Sequence, residues 1–137
     1  MSVTLLLITH DDIGSSLLST ATNMLGVPPL VCKNLKITPQ MDIEEGYAQA
    51  TQICNTLNEN DKLLIATDIY GSTPSNIATK LTENISTTQR LIVTGVNLPM
   101  LVRIMNYAHL SLSELAQKAC SSASDSIFIV DKEKDCD

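Results

Sequence analysis

The apolar positions of the chain fall into short continuous runs separated by longer stretches with helical spacing. Four of the runs are typical of strands, at residues 3–8, 30–37, 63–66 and 91–93. The first, third and fourth are apolar on both faces, as central strands of parallel sheets are, and the second alternates like an edge strand. A fifth run at 127–130 is β-branched and aromatic and predicts one more strand.

Helical spacing and end signals predict five helices between these runs. The first carries leucine and alanine on one face and ends at Gly26, a suitable C-cap. Two Thr-Pro pairs, at 38–39 and 73–74, each predict a helix start with threonine as N-cap and proline as the first helical residue. Asn97 opens the fourth helix, and residues 111–114 form a capping box for the fifth.

This alternation predicts a single α/β domain. Because parallel strands are joined by right-handed helical crossovers, we expect an open, mostly parallel sheet with helices on both faces. In the flavodoxin-like strand order 2-1-3-4, the order reverses between the first and third strands. The length of 137 residues suits one domain. We expect the domain to span residues 1–130 and a charged tail to occupy 131–137.

Composition and charge narrow the class of function. With 44% apolar and 18% charged residues, the chain should fold rather than stay disordered. Nine Lys and Arg against fifteen Asp and Glu give a net charge of −6, which disfavours nucleic acid and membrane partners because both are anionic. The first apolar run is too short for a signal or a membrane span and follows no basic segment, so we expect a cytoplasmic protein.

The four cysteines and two histidines do not have the spacing of a metal site. We therefore expect no structural metal. Cys32, Cys54 and Cys120 are expected to be small buried side chains instead.

Polar residues follow the first and third strands, whose carboxyl ends border the point where the strand order reverses. There one imidazole, His10, faces one carboxylate, Asp68. A carboxylate that accepts the proton of one ring nitrogen fixes the tautomer and makes the other nitrogen a better nucleophile. The turn at Gly71-Ser72-Thr73 offers backbone N–H groups and hydroxyls, and the helix that starts there favours an anion. These residues together describe a histidine that accepts a phosphoryl group.

The same residues allow two other interpretations. An aspartate and a histidine at strand ends are often only caps or turn formers. A receiver domain is the second alternative, in which Asp11 and Asp12 hold Mg²⁺ and Asp68 is phosphorylated. Thr94 and Lys132 would then supply the receiver hydroxyl and lysine. The turn before the third helix and the extra helix before the last strand do not fit a receiver.

Three motifs occur in an order and spacing that is similar to one known family. They are residues 7–10 after the first strand, 68–76 after the third and 95–101 after the fourth. On these motifs, the chain from residue 1 to about 130 resembles the enzyme IIA component of the mannose-type phosphoenolpyruvate:sugar phosphotransferase system. Three motifs spread over the whole chain are more specific than one strand-end histidine.

The resemblance implies a phosphocarrier with defined site residues. His10 would be the phosphorylated residue, Asp68 its orienting partner, and Thr73 the hydroxyl near the phosphoryl group. Asp11 and Asn97, at ends of strands on the same edge, are expected at the rim of the pocket. The family commonly has glycine where this chain has Asp11, and a carboxylate there disfavours a neighbouring phosphoryl group electrostatically.

The resemblance also implies partners and an assembly. The phosphocarrier HPr would be the donor and the cognate IIB component the acceptor, and neither step uses a metal or a bound cofactor. Because the chain ends soon after Val130, we expect IIB to be a separate protein. In this family the last strand crosses to a second subunit, so we expect a homodimer that pairs residues 127–130 with the partner's sheet. The phosphoryl-donor subunit of dihydroxyacetone kinase and a regulatory IIA relative are the alternatives.

Overall fold

The computed structural model describes residues 2–58, 60–83 and 89–132, and strands alternate with helices along this part of the chain. The strands are β1 (Val3–His10), β2 (Cys32–Ile37), β3 (Lys62–Thr67) and β4 (Arg90–Val93). The helices are α1 (Ile13–Leu25), α2 (Ile43–Asn55), α3 (Thr73–Glu83), α4 (Leu98–Asn106) and α5 (Leu112–Asp125). Each of these strands lies on one of the apolar runs, with ends that differ by a few residues.

The four strands form one parallel sheet in the order β2-β1-β3-β4, which confirms the predicted α/β fold. β1 lies inside the sheet, with Leu5 opposite Cys32 on one side and Leu64 on the other. The chain runs from β1 out to β2 and then back across to β3. The carboxyl ends of β1 and β3 therefore border the crevice in which open α/β sheets bind ligands.

Helices cover both faces of the sheet. Successive strand residues point to opposite faces, so Leu7 shares a buried cluster with Leu115 of α5, whereas Ile8 shares one with Ile77 of α3. α1, α4 and α5 cover the first face, and α2 and α3 cover the second. Each fully buried leucine or isoleucine contributes about 1.5–3 kcal/mol to folding. In the described ranges, no helix has the length and apolar character needed to cross a membrane.

Three of the predicted helix ends are confirmed. α1 ends before Gly26, whose φ of 88° is the left-handed conformation that glycine adopts easily. At α4, the side-chain oxygen of Asn97 accepts a hydrogen bond from the Met100 N–H at 2.9 Å. At α5, Ser111 and Glu114 form the complete capping box.

The predicted start of α2 is wrong, and that of α3 is shifted by one residue. The Met41 N–H donates to the Thr38 carbonyl at 3.1 Å, so the first Thr-Pro pair belongs to a turn, where proline is as suitable as at a helix start. Asp42 caps α2 instead, accepting from the Glu45 N–H at 2.8 Å. Thr73 is the first residue of α3 rather than its N-cap.

The predicted terminal strand is not part of this chain's sheet. Residues 127–130 follow α5 without regular structure, and each of their side chains is at least 70% exposed. β4 is consequently an edge of the sheet, and Leu91 is partly exposed on it. Pairing with a second chain stays a prediction, as does the domain boundary at residue 130. Of the predicted tail, residues 133–137 lie outside the described residues.

The prediction of buried cysteines is wrong for Cys120, which is exposed on α5. α5 buries Leu115, Ala119 and Ala123, and a helix turns by about 100° per residue, so the next position faces outward. Cys32 and Cys54 are half-buried. Burial raises the pKa of the Cys32 thiol to about 11.

The start of α1 is packed so closely on β1 that Gly14 has no room for a Cβ. A Cβ at this position would lie 2.7 Å from Thr9 Oγ1, the atom that accepts the Gly14 N–H at 2.8 Å, and it would also overlap the Asn34 side chain. We expect Gly14→Ala to lower the free energy of unfolding by about 1–3 kcal/mol in urea denaturation. Ser19→Ala, at an exposed position of the same helix, should change it by less than about 0.5 kcal/mol. Equal stability of the two variants would contradict this packing.

Candidate functional site

The structure brings His10 and Asp68 together at the carboxyl edge of the sheet. His10 is the last residue of β1, and Asp68 directly follows β3, the neighbouring strand. The Nδ1 atom of His10 lies 2.8 Å from Oδ2 of Asp68. The backbone N–H of His10 donates to the same oxygen at 3.0 Å. One carboxylate therefore holds both the main chain and the ring of the histidine.

The Asp68 carboxylate is almost buried, and both of its oxygens accept hydrogen bonds. Its side chain is 9% exposed, and its second oxygen accepts a hydrogen bond from the Ile69 N–H at 3.0 Å. Burial by itself would raise the pKa of this carboxyl. Hydrogen bonds from the backbone and ring of His10, together with attraction to the imidazolium form, outweigh that effect and hold the pKa below its ordinary value of 3.8. Asp68 is thus ionised at neutral pH.

The contact with a carboxylate determines what each ring nitrogen of His10 can do. An ionised carboxylate only accepts hydrogen bonds, so Nδ1 carries the proton and Nε2 of the neutral ring keeps its lone pair. The His10 side chain is 40% exposed, and its Nδ1 side faces Asp68. The Nε2 side is therefore the part of the ring that a partner can reach. This arrangement suits a nucleophilic histidine.

The turn before α3 lies at the same edge of the sheet. Gly71 has a φ of 85°, which residues with a Cβ rarely adopt. The Ser72 hydroxyl donates to the Ile69 carbonyl at 2.6 Å, and the Ser72 carbonyl accepts the Asn76 N–H at 2.9 Å. The Ser72 hydroxyl proton is therefore used inside the turn. Thr73 begins α3, which packs against β1 and β3 with its N-terminus toward the histidine edge.

The two residues expected at the pocket rim have different surroundings. Asp11 is exposed and follows His10 directly, with its backbone N–H bonded to the Ile37 carbonyl at 2.9 Å. Asn97 is half-buried. Its oxygen caps α4, and its amide nitrogen lies 3.5 Å from the Ala123 carbonyl of α5. Asn97 therefore has a structural role in joining α4 to α5.

Two features near the histidine were missed in the sequence. Lys36 is paired with Thr9 in the β1–β2 register, and its Nζ lies 3.1 Å from Oδ1 of Asp12. Linear sequence does not reveal that register, so no local signal identifies Lys36. Ile69 and Tyr70 lie within the 68–76 motif without a role of their own in the sequence prediction, but they are 63% and 79% exposed. An apolar pair inside an otherwise polar turn was the available signal.

The surroundings of the acidic residues do not fit a receiver domain. A receiver would aim Asp68 at an acidic pair, but here its oxygens accept hydrogen bonds from His10 and Ile69. Asp12 forms its ion pair with Lys36. Among the residues that the structure describes, no three His, Cys, Asp or Glu side chains converge to hold a metal ion.

Comparison with protein families and solved structures points to one group. The EIIA-man family, described as the PTS system fructose IIA component, has a model that matches residues 4–120. No curated protein shows a significant match. The match to the family covers the sheet, the histidine edge and most of α5.

Several solved structures share the fold. The phosphotransferase system component EIIA from Streptococcus agalactiae has 19% identity and a TM-score of 0.82, covering 96% of this chain and 98% of that one. The mannose/sorbose specific IIA subunit from Enterococcus faecalis has 21% identity and a TM-score of 0.86, covering 96% of both chains. The PTS IIA protein associated with the fucose utilization operon of Streptococcus pneumoniae has 23% identity and a TM-score of 0.78, covering 100% and 98%. At these identities the likeness is one of fold.

The lowered pKa of Asp68 predicts a pH-dependent stability. A carboxyl with a lower pKa in the folded state stabilises the fold fully above its unfolded pKa, and this contribution is lost as the pH falls through the folded pKa. At about pH 6, we expect the native chain to exceed Asp68→Asn by about 1 kcal/mol in free energy of unfolding. The difference should shrink below about pH 4, measured by chemical denaturation. A difference independent of pH would contradict the bonding described for this carboxylate.

Proposed function

The chain belongs to the EIIA-man family, the IIA components of the sugar phosphotransferase system, and on this premise we propose that His10 carries the phosphoryl group of the relay. Membership of this family identifies the protein as a phosphocarrier. Our proposal adds the residue and the atom that carry the phosphoryl group. The observation that supports it best is the 2.8 Å contact between Nδ1 and Asp68, which leaves Nε2 as the nucleophile.

The proposed step is attack of Nε2 on the phosphorus of phospho-HPr. The nitrogen lone pair forms the new N–P bond, the bond between phosphorus and its donor atom on HPr breaks, and that electron pair leaves with HPr. Nδ1 keeps its proton and donates it in a hydrogen bond to Asp68, whose negative charge balances the positive charge that develops on the ring. The turn at 71–73 and the N-terminus of α3 stabilise the phosphoryl oxygens through backbone N–H groups and the helix dipole. Thr73 adds a hydroxyl at this edge.

The second step passes the phosphoryl group to a IIB component by the same in-line exchange. The lone pair of the acceptor atom forms the new bond, and the N–P bond at Nε2 returns its electrons to the ring. Neither step requires a metal or a cofactor.

The cytoplasmic location predicted from the sequence stays a prediction. The alternative acceptor is dihydroxyacetone kinase. A transfer assay that offers the phosphorylated protein each acceptor in turn distinguishes a sugar-transport relay from a dihydroxyacetone kinase relay.

Exposed apolar side chains near the histidine suit contact with protein partners. Ile69 and Tyr70 follow Asp68, and Ile13, at the start of α1, is 44% exposed three residues after His10. Aromatic and apolar side chains are enriched at the centres of protein interfaces. We therefore place the docking surface for HPr and IIB on these residues.

Intact-mass measurement after incubation with phosphoenolpyruvate, enzyme I and HPr tests the assignment. We expect one phosphoryl group on the native chain, labile in acid and stable in alkali. His10→Ala should accept none, because the nucleophile is gone. His109→Ala removes the chain's other histidine, which is exposed, and should be phosphorylated like the native chain. Uptake of one phosphoryl group by His10→Ala would contradict the proposal.

The same assay separates a histidine adduct from an acyl phosphate and tests the orienting role of Asp68. An acyl phosphate on Asp68 would need Mg²⁺ and would be cleaved by hydroxylamine. Asp68→Asn should remain folded by circular dichroism but accept the phosphoryl group about 10²–10⁴ times more slowly, as enzymes do when an orienting carboxylate is removed. Unchanged transfer kinetics would leave Asp68 with a role in the turn only.

The exposed terminal segment suits a homodimer. Residues 127–130 are apolar and at least 70% exposed, and β4 leaves an apolar edge uncovered. Uncovered edges of this kind tend to pair with another chain. We propose that residues 127–130 of each subunit pair with β4 of the other, an exchange that gives twofold symmetry at low cost.

Truncation after Ser126 tests this assembly by light scattering. The native chain should have twice the 14.8 kDa mass of one chain, and the truncated chain should have the mass of a monomer, because the pairing segment is missing. A control that ends at Lys132 keeps the segment and should remain a dimer. A stable dimer of the chain truncated after Ser126 would show that this segment does not hold the subunits together.

A further inference from the structure

We propose that Asp11 raises the tendency of His10 to give up its phosphoryl group, because it holds an unpaired negative charge next to the phosphorylated ring. This inference rests on the proposed function. It assigns Asp11 a part in setting the balance between the free and phosphorylated protein. Asp11 acts through space on the phosphoryl group and takes no part in bond making, so it is a tuning residue rather than a catalytic one.

The backbone at Asp11 has a conformation that only glycine adopts without strain. Asp11 has a φ of 44°, and it is the one non-glycine residue with positive φ in the described ranges. Its N–H donates to the Ile37 carbonyl at the end of β2, which fixes the chain where it leaves β1. A Cβ is strained in this conformation, although aspartate and asparagine tolerate it better than most residues. Glycine would fit without strain, so the backbone gives no reason for a carboxylate here.

Asp11 differs from the other acidic residues at this edge in the partners of its carboxylate. Asp12 is paired with Lys36 at 3.1 Å. Asp68 is almost buried and accepts three hydrogen bonds. Among the residues that the structure describes, Asp11 forms no ion pair and is exposed. It is therefore the uncompensated negative charge beside His10.

Chain geometry keeps this charge close to the phosphoryl group. Cα atoms of adjacent residues lie about 3.8 Å apart, so with the reach of the two side chains the Asp11 carboxylate lies within roughly 12 Å of a phosphoryl group on Nε2, well inside the Debye length of about 30 Å at 0.01 M salt. A phosphoryl group adds up to about two negative charges at neutral pH. At roughly 8–12 Å in a water-like dielectric and at low salt, repulsion of this size shifts an equilibrium about threefold to fivefold. Asp11 therefore favours transfer onward to an acceptor over retention of the group.

The test measures the phosphorylation equilibrium at a known ratio of phospho-HPr to HPr. Asp11→Asn removes the charge and keeps a side chain that tolerates positive φ. We expect it to raise the ratio of phosphorylated to free protein about twofold to fivefold at low salt. The gain should disappear at about 1 M salt, where the Debye length is about 3 Å. A purely structural role of Asp11 would not show this salt dependence.

Two further variants make the result specific. Glu83→Gln makes the same change of charge at the C-terminal end of α3, away from the histidine edge, and should leave the equilibrium unchanged. Asp11→Gly removes both the charge and the strained Cβ and should match Asp11→Asn. If Asp11→Gly alone shifts the equilibrium, backbone strain is the cause and the proposal is wrong.

The outcomes also separate this inference from the proposed function. If the native chain takes no phosphoryl group from phospho-HPr, both fail. If the native chain is phosphorylated and Asp11→Asn behaves like the native chain and Glu83→Gln at low salt, only the role of Asp11 is overturned.

Discussion

The double hydrogen bond from His10 to one oxygen of Asp68 is the interaction on which the site depends. It joins the end of β1 to the residue after β3, and it fixes the ring through the same atom that fixes the main chain. This is feasible because the β1–β3 register pairs Ile8 with Thr67, so both chains leave the sheet at nearly the same level. The contact between His10 and Asp68 therefore depends on the topology of the sheet. Asp68 reaches the histidine only because the chain crosses through β2 and α2 before β3 returns to lie parallel to β1.

The sequence was sufficient to predict the fold and the His10–Asp68 contact, because both follow from regularities of the chain. Strand runs and most caps are local signals, and the reversal of strand order identifies where two strand ends meet. The wrong or missed predictions concern two kinds of position. At some, the local sequence fits two different structures, and at others the local sequence carries no signal at all. The proline after Thr38 suits a turn as well as a helix start, and the outward direction of Cys120 depends on which side of α5 packs on the sheet. Lys36 depends on a pairing register that no local pattern reveals.

The charges around the histidine bear on how an acidic chain with a net charge of −6 would carry the phosphoryl group of the proposed relay. Partial positive charge at the start of α3 and the ammonium of Lys36 are placed at the carboxyl edge of the sheet, where two aspartates follow His10. Asp68 contacts Nδ1 of the ring, whereas the phosphoryl group of the proposed relay would be attached to Nε2. The carboxylates at this edge outnumber the ammonium of Lys36, so the phosphoryl group of the proposed relay would depend on backbone N–H groups and the helix dipole as well.

The burial of β1 along nearly its whole length bears on the kinetics of exchange between proteins. Residues 3–9 are buried, and the Thr9 hydroxyl ties α1 to the strand immediately before the histidine. In the proposed relay, a nucleophile on such a buried strand would lose little conformational freedom when a partner binds, so the entropic cost of association would fall mainly on the exposed side chains around it. In such a relay, the rate at which partner surfaces meet sets the upper limit on the second-order rate constant for transfer, about 10⁵–10⁷ M⁻¹s⁻¹ for proteins that must dock in one orientation.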